Sequence, residues 1–178
     1  VAAAHAKAAT YPQENGNDLF AEELGTIEAK CAAGEYADTD IAAAILEVKG
    51  IINRYLMADA MPEASRENPV DVTALIVEQA SFEDNTHTSW IASPVPTMSY
   101  GIAEFTNTTF DIHQVLHGMP AGVYLLQAQA FYRYGSASSH YSAYNSGTLK
   151  RNAKLYISHS SAGTNTADVM ATSDDPSE

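Results

Sequence analysis

Between Phe110 and Tyr134 the chain reads FDIHQVLHGMPAGVYLLQAQAFYRY. Two β-prone runs flank Gly118-Met119-Pro120-Ala121-Gly122, where glycine and proline mark a turn. From Val123 onward, Val123, Leu125, Ala128 and Ala130 interleave with Tyr124, Gln127, Gln129 and Phe131. The alternation is imperfect and both faces carry bulk, as in a central strand covered on two sides. The stretch therefore predicts two long strands joined by a Gly-Pro turn. The remaining segments must lead up to this pair or pack on it.

The residues before it change character once. Residues 1–10 are Ala-rich and predict a short helix, broken by Pro12 and Asn15-Gly16-Asn17. Asp18 is the expected N-cap of a second helix. Its apolar face is Leu19, Phe20, Leu24, Ile27 and Cys31, and Gly34 ends it. A third helix starts near Thr39 and carries Ile41, Ala44, Ile45, Val48, Ile51, Ile52, Tyr55 and Leu56 as a wide stripe, with Pro62 just beyond. Glu63 to Pro69 is a polar linker.

From Val70 the period shortens. Val72 to Val77 reads as a strand, Phe82-Glu83-Asp84-Asn85 as a turn, and Ser89-Trp90-Ile91 as a short strand. A Pro94/Pro96 loop, strands at 102–105 and 109–116, and a strand at 152–158 follow. Residues 135–147 read as a Ser/Tyr loop and 160–178 as a polar loop or tail. The expected fold class is α+β. A helical hairpin or three-helix bundle (1–62) and a linker (63–69) precede an antiparallel jelly-roll-like β-sandwich (70–178). Five or six strands are fewer than a closed sandwich uses, so the sandwich is expected to be incomplete at its C-terminal end, with a small open sheet covered by the helices as the alternative.

Composition narrows the function. The chain has 178 residues, 46% of them apolar, which is enough for a core. Nine Lys+Arg against 22 Asp+Glu leave a net charge of −13. Nucleic-acid binding needs a basic face to displace phosphate counterions, so it is not expected. No apolar run approaches the ~18 residues that span a bilayer. The N-terminus lacks the basic and apolar regions of a signal peptide. The single cysteine, Cys31, excludes an internal disulfide and reads as a small buried or half-buried hydrophobe.

Several groups carry side chains capable of chemistry. Asp111, His113 and His117 lie close together, but a spacing of four converges on a helix, not across a strand and its turn. Glu83 and Asp84, with Asn85, form an oxygen-rich turn, the donor type calcium uses, without the spaced repeat of a dedicated calcium loop. A solvated turn is the plain alternative. Trp90, the only tryptophan, reads as a core anchor before a sugar platform. Tyr132, Arg133, Tyr134, Tyr141 and Tyr144 surround a Ser/Gly loop. Flat rings beside donors and acceptors suit sugars, with Arg133, Asn145 or Glu83 bonding hydroxyls. No nucleophile elbow, phosphate loop, zinc-protease helix or placed carboxylate pair occurs, so no enzyme is expected.

The run ENPVDVTALIVEQASFED, then Ser89-Trp90, AEFTNTTFDIHQVLHGMPAGVYLLQAQAFYRYG and NAKLYI resembles a module of large surface or secreted Bacteroidetes proteins. There an Ala-rich helical segment precedes a galactose-binding-like, carbohydrate-binding-module-like sandwich, described as a cell-adhesion or carbohydrate-binding family. Phe82, Trp90, Phe110, Gln114, Leu116, Gly118, Pro120, Gly122 and Phe131-Tyr132-Arg133 carry the likeness. Glu78-Gln79-Ala80 and His113 depart from it. The resemblance implies a non-catalytic module at the cell surface or secreted. Its partner would be a glycan, another surface protein or the rest of its own polypeptide. A purely structural spacer, or an accessory domain of a glycoside hydrolase, are the alternatives.

Overall fold

The computed structural model describes residues 1–133, 135–150, 153–160 and 163–168. These form six helices and six short antiparallel strands, with no closed barrel among the described residues. The chain divides into two compact units, Val1–Val123 and Tyr124–Glu178. The segment expected as a linker, 63–69, lies inside the first.

The first unit begins with α1 (Ala2–Thr10), α2 (Asn17–Ala33) and α3 (Ile41–Leu56). Alanine-rich sequence forms α1 cheaply, and its small side chains let Ala4 and Ala8 bury against α3. The core gathers Phe20, Leu24 and Ile27 of α2 with Ile51, Ile52, Tyr55 and Leu56 of α3. Leu24 and Leu56 are fully enclosed, and the Phe20 and Tyr55 rings sit 4.5 Å apart. Gly34, at φ +67°, closes α2 in the left-handed conformation that glycine adopts without strain.

Two readings of this region need correction. Cys31 is exposed, because it lies one turn past Ile27, the last buried residue of α2. The cap of α2 is Gly16, not Asp18. Asp59 accepts the backbone N–H groups of Glu14 and Asn15 (both 2.8 Å), which fixes the preceding loop, so the helix begins at Asn17. The apolar stripe of α3 is buried from Gly50 on, whereas Ile41 and Ile45 are exposed.

After the one-turn helix α4 (Ala60–Glu63), the run read as a strand forms another single turn, α5 (Thr73–Ile76). The Asp71 carboxylate accepts the Thr73 N–H (2.8 Å) and starts the turn. Leu75 then packs on the helical core and Ile76 is buried.

Next come β1 (Ile91–Ser93), β2 (Thr97–Ser99), β3 (Ile102–Glu104) and β4 (Asp111–His113). β1 pairs with β4, Ile91 opposite His113 and Ser93 opposite Asp111. β2 pairs with β3, Thr97 opposite Glu104 and Ser99 opposite Ile102. The proline loop at 94–96 thus leads into a hairpin that the sequence reading missed.

The long central strand pair is not formed. β4 stops at His113, and 114–131 lies outside any helix or strand. Side chains divert the chain here. The Gln114 amide exchanges two hydrogen bonds with the backbone of Glu78, and Asn53 of α3 donates to the His117 carbonyl (3.0 Å). Gly118, at φ +61°, meets the backbone of Gly50 in α3: a Cβ there would lie 2.4 Å from Gly50 Cα. Val123 is left 89% exposed.

In the second unit, the Ser/Tyr loop is a helix, α6 (Ala137–Asn145). Ser136 caps it by accepting the Ser139 N–H (3.2 Å), and Gly147 follows its end at φ +68°. β5 (Lys154–His159) matches the strand expected at 152–158 and pairs with β6 (Gly163–Asp168), which was read as tail. Leu125 and Phe131 are exposed, and Tyr132 makes only an isolated bridge.

Candidate functional site

Among the large apolar side chains of the described residues, the most exposed is Tyr100, at the tip of the β2–β3 hairpin. Its two-residue turn is Tyr100-Gly101, both at positive φ (+50° and +71°), the requirement of a type I′ turn. Glycine takes this conformation freely. A tyrosine there sacrifices roughly 1–2 kcal/mol, because its Cβ crowds the next carbonyl. Its ring recovers nothing by packing, since Tyr100 is 96% exposed.

The tip rests on the turn that precedes β1. Gly101 N–H donates to Asn85 Oδ1 (2.9 Å). A Cβ on Gly101 would lie 3.4 Å from the Ser81 carbonyl oxygen and 3.9 Å from Glu83 Cα. The backbone of Ser81 to Glu83 therefore lies against Gly101, the residue after the tyrosine, and both Ser81 and Glu83 are exposed.

That turn is tied around one side chain. Gln79 donates through Nε2 to Asp84 Oδ2 (2.8 Å) and to Thr86 Oγ1. Its Oε1 accepts the Ser89 N–H (2.8 Å) and the Thr88 hydroxyl (3.3 Å). Its carbonyl accepts Trp90 Nε1–H (3.1 Å), and Trp90 lies against Phe82 with centroids 5.2 Å apart. Gln79, Phe82 and Asn85 all sit at positive φ. Trp90 thus anchors this knot; it is half-buried and lies outside the helical core. Asp84 accepts from Gln79 and, through Oδ1, from the Thr86 N–H (3.0 Å). The Gln79 bond first, and the Thr86 bonds after it, hold its carboxyl below the usual range. Glu83 and Asp84, the pair expected to hold calcium, are both exposed, and both oxygens of Asp84 already serve the turn. No group of three or more metal-ligating side chains occurs among the described residues.

Elsewhere, His113 Nδ1 pairs with Asp111 Oδ2 (2.7 Å) on one face of β4. His117 is engaged through its carbonyl with Asn53.

The tyrosines expected to bind sugar are distributed differently. Tyr132 donates its hydroxyl to the Lys150 carbonyl, and its ring stands edge-on to the buried His140 with centroids 6.0 Å apart. It acts as a strut. Arg133 is exposed. Tyr141 and Tyr144 lie three residues apart on α6, Tyr141 half-buried and Tyr144 45% exposed. Tyr134 lies outside the described residues. Tyr100 was missed by sequence reasoning. Its signal is the dipeptide Tyr100-Gly101 between Thr97-Met98-Ser99 and Ile102-Ala103-Glu104, a two-residue loop between strand-length runs.

A depression of about 80 Å³ between α2 and α3, lined by Phe20, Glu23, Arg54 and Tyr55 among others, is smaller than ordinary ligand pockets. Arg54 closes part of it by an ion pair to Glu23 (2.8 Å). No helix among the described residues is long and apolar enough to cross a membrane. No protein-family model matches the chain, and neither the curated proteins nor the solved structures contain a match.

Proposed function

We propose that this chain is a non-catalytic carbohydrate-binding or adhesion module of an exported bacterial surface protein, and that Tyr100 is its recognition ring. The observation that carries this reading is a tyrosine held on left-handed backbone, 96% exposed, above a polar knot. A planar ring on a rigid support covers the C–H face of a sugar with little ordering cost. The Glu83 carboxylate accepts sugar hydroxyls, and Ser81 adds a further polar group on the same turn. Tyr144, with Tyr141, is a secondary surface on α6. The open character of the hairpin tip fits a chain-like ligand better than a small enclosed one.

Partner strands are a compatible second element of the reading. Val123, Leu125 and Phe131 are exposed at 89%, 70% and 69%. A jelly-roll-like sandwich would cover this run with strands from the rest of the polypeptide or from another surface protein, and the exposure supports that arrangement.

Glycan-array binding by the chain, repeated with Tyr100→Gly, Tyr141→Ala and Tyr144→Ala, tests the proposal. Binding that falls at least tenfold in Tyr100→Gly is expected. A folded sample silent across plant, microbial and host polysaccharides would sink it. Binding lost only in the α6 variants would move the site to the second unit.

A further inference from the structure

Between Arg66 and Arg133 the sequence holds seven carboxylates and no lysine or arginine. This interval contains the whole of the knot, the hairpin and Tyr100. Resting on the reading just given, we infer that the Tyr100 site takes neutral glycans and rejects those bearing carboxylate or sulfate.

Protein sites hold anions with guanidinium or ammonium groups, or with converging backbone N–H groups. The first kind is absent from the interval. Six N–H groups of the second kind are already committed. Phe82 N–H donates to the Gln79 carbonyl, Asn85 N–H to that of Phe82, and Trp90 N–H to that of His87. Thr86 and Ser89 N–H donate to Asp84 and Gln79 side chains, and Gly101 N–H to Asn85. The exposed groups of the tip and of the turn against it are the Tyr100 ring and the Glu83 and Asp84 carboxylates. The ring's π face is electron-rich, so it attracts C–H groups and repels anions. Glu83 can only accept, so it selects a ligand that donates through hydroxyls. Of the imidazoles in the interval, His113 pairs with Asp111, while His87 is half-buried in the knot and His117 is half-buried.

The test titrates the full chain with neutral β-glucan, galactan and mannan fragments, and with oligogalacturonate and sulfated galactan fragments, at low and physiological salt. Neutral binding is expected, with acidic glycans at least tenfold weaker at low salt and the gap narrowing as salt screens repulsion. Glu83→Gln, which keeps size and hydrogen bonding, is expected to narrow the gap at low salt. An acidic glycan bound as tightly as the best neutral one, or a Glu83→Gln variant with an unchanged ratio, would overturn the inference while leaving glycan binding intact. Silence towards every fragment by folded protein would overturn both.

Discussion

The helical core and the ribbon segment belong to one unit but are stabilised by opposite means. In α1–α3, apolar side chains interlock and the polar groups stay outside. Between Gln79 and His113, the buried side chains are few and one glutamine amide organises the turn. All five non-glycine residues at positive φ among the described residues fall between Gln79 and Asn107. The core is thus a low-strain support, and the strain is concentrated where Tyr100 is presented. Strain of this kind persists only where surrounding bonds over-determine it, and it gathers at functional surfaces.

The largest expected effect breaks the helical side of this contrast. Leu24→Ala removes a fully enclosed side chain and should cost about 2–5 kcal/mol in urea unfolding followed by helical circular dichroism. Gly118→Ala comes next. Its Cβ would press on Gly50 Cα at 2.4 Å, from a backbone at φ +61°. A loss of about 1–3 kcal/mol is expected by the same assay. No loss would mean that the 117–118 loop is not seated on α3.

The ribbon side responds locally. Gln79→Ala should change the emission of Trp90, the single tryptophan, while helical circular dichroism melts nearly as before. The expected local cost is about 1–2 kcal/mol, from donors and acceptors left unpaired. Acid should act on the same turn. Asp84 is held below the usual carboxylate range, so its contribution is present above its unfolded value and is lost as pH falls through the folded one. The Trp90 signal should therefore change below about pH 4. If helices and tryptophan respond together in Gln79→Ala and in acid, the two regions are not separately stabilised.

The contrast also explains what was legible. Apolar periodicity located α1–α3, because burial of a stripe is what makes those helices stable. Gly34 could be assigned because its reason is local. The β-prone run at 72–77 became a helical turn because Asp71 and the helical core outweighed propensity. Ser136 likewise converted a Ser/Tyr loop into α6. The strand pair at 110–134 failed on tertiary contacts, Gln114 to Glu78 and Gly118 to Gly50, which no local pattern announces. The knot was hidden for the same reason: nothing in Glu78-Gln79-Ala80 shows that one amide will tie Asp84, Thr86 and Ser89. Tyr132, one of four rings expected to bind sugar, gives its hydroxyl to the Lys150 carbonyl, and Tyr100 stood unnoticed in a dipeptide with ordinary hairpin chemistry.

Tyr100→Gly, read for both stability and glycan binding, tests the central claim most directly. Glycine relieves the left-handed strain, roughly 1–2 kcal/mol, but adds about 0.5–1 kcal/mol of unfolded-state entropy. A net gain of about 0–1.5 kcal/mol in hairpin stability, together with loss of binding, is the predicted pair. It would mean that the ring is kept at the expense of the fold. A variant that loses stability, or that binds glycans as the parent chain does, would contradict the account: Tyr100 would then be a structural residue or an idle one.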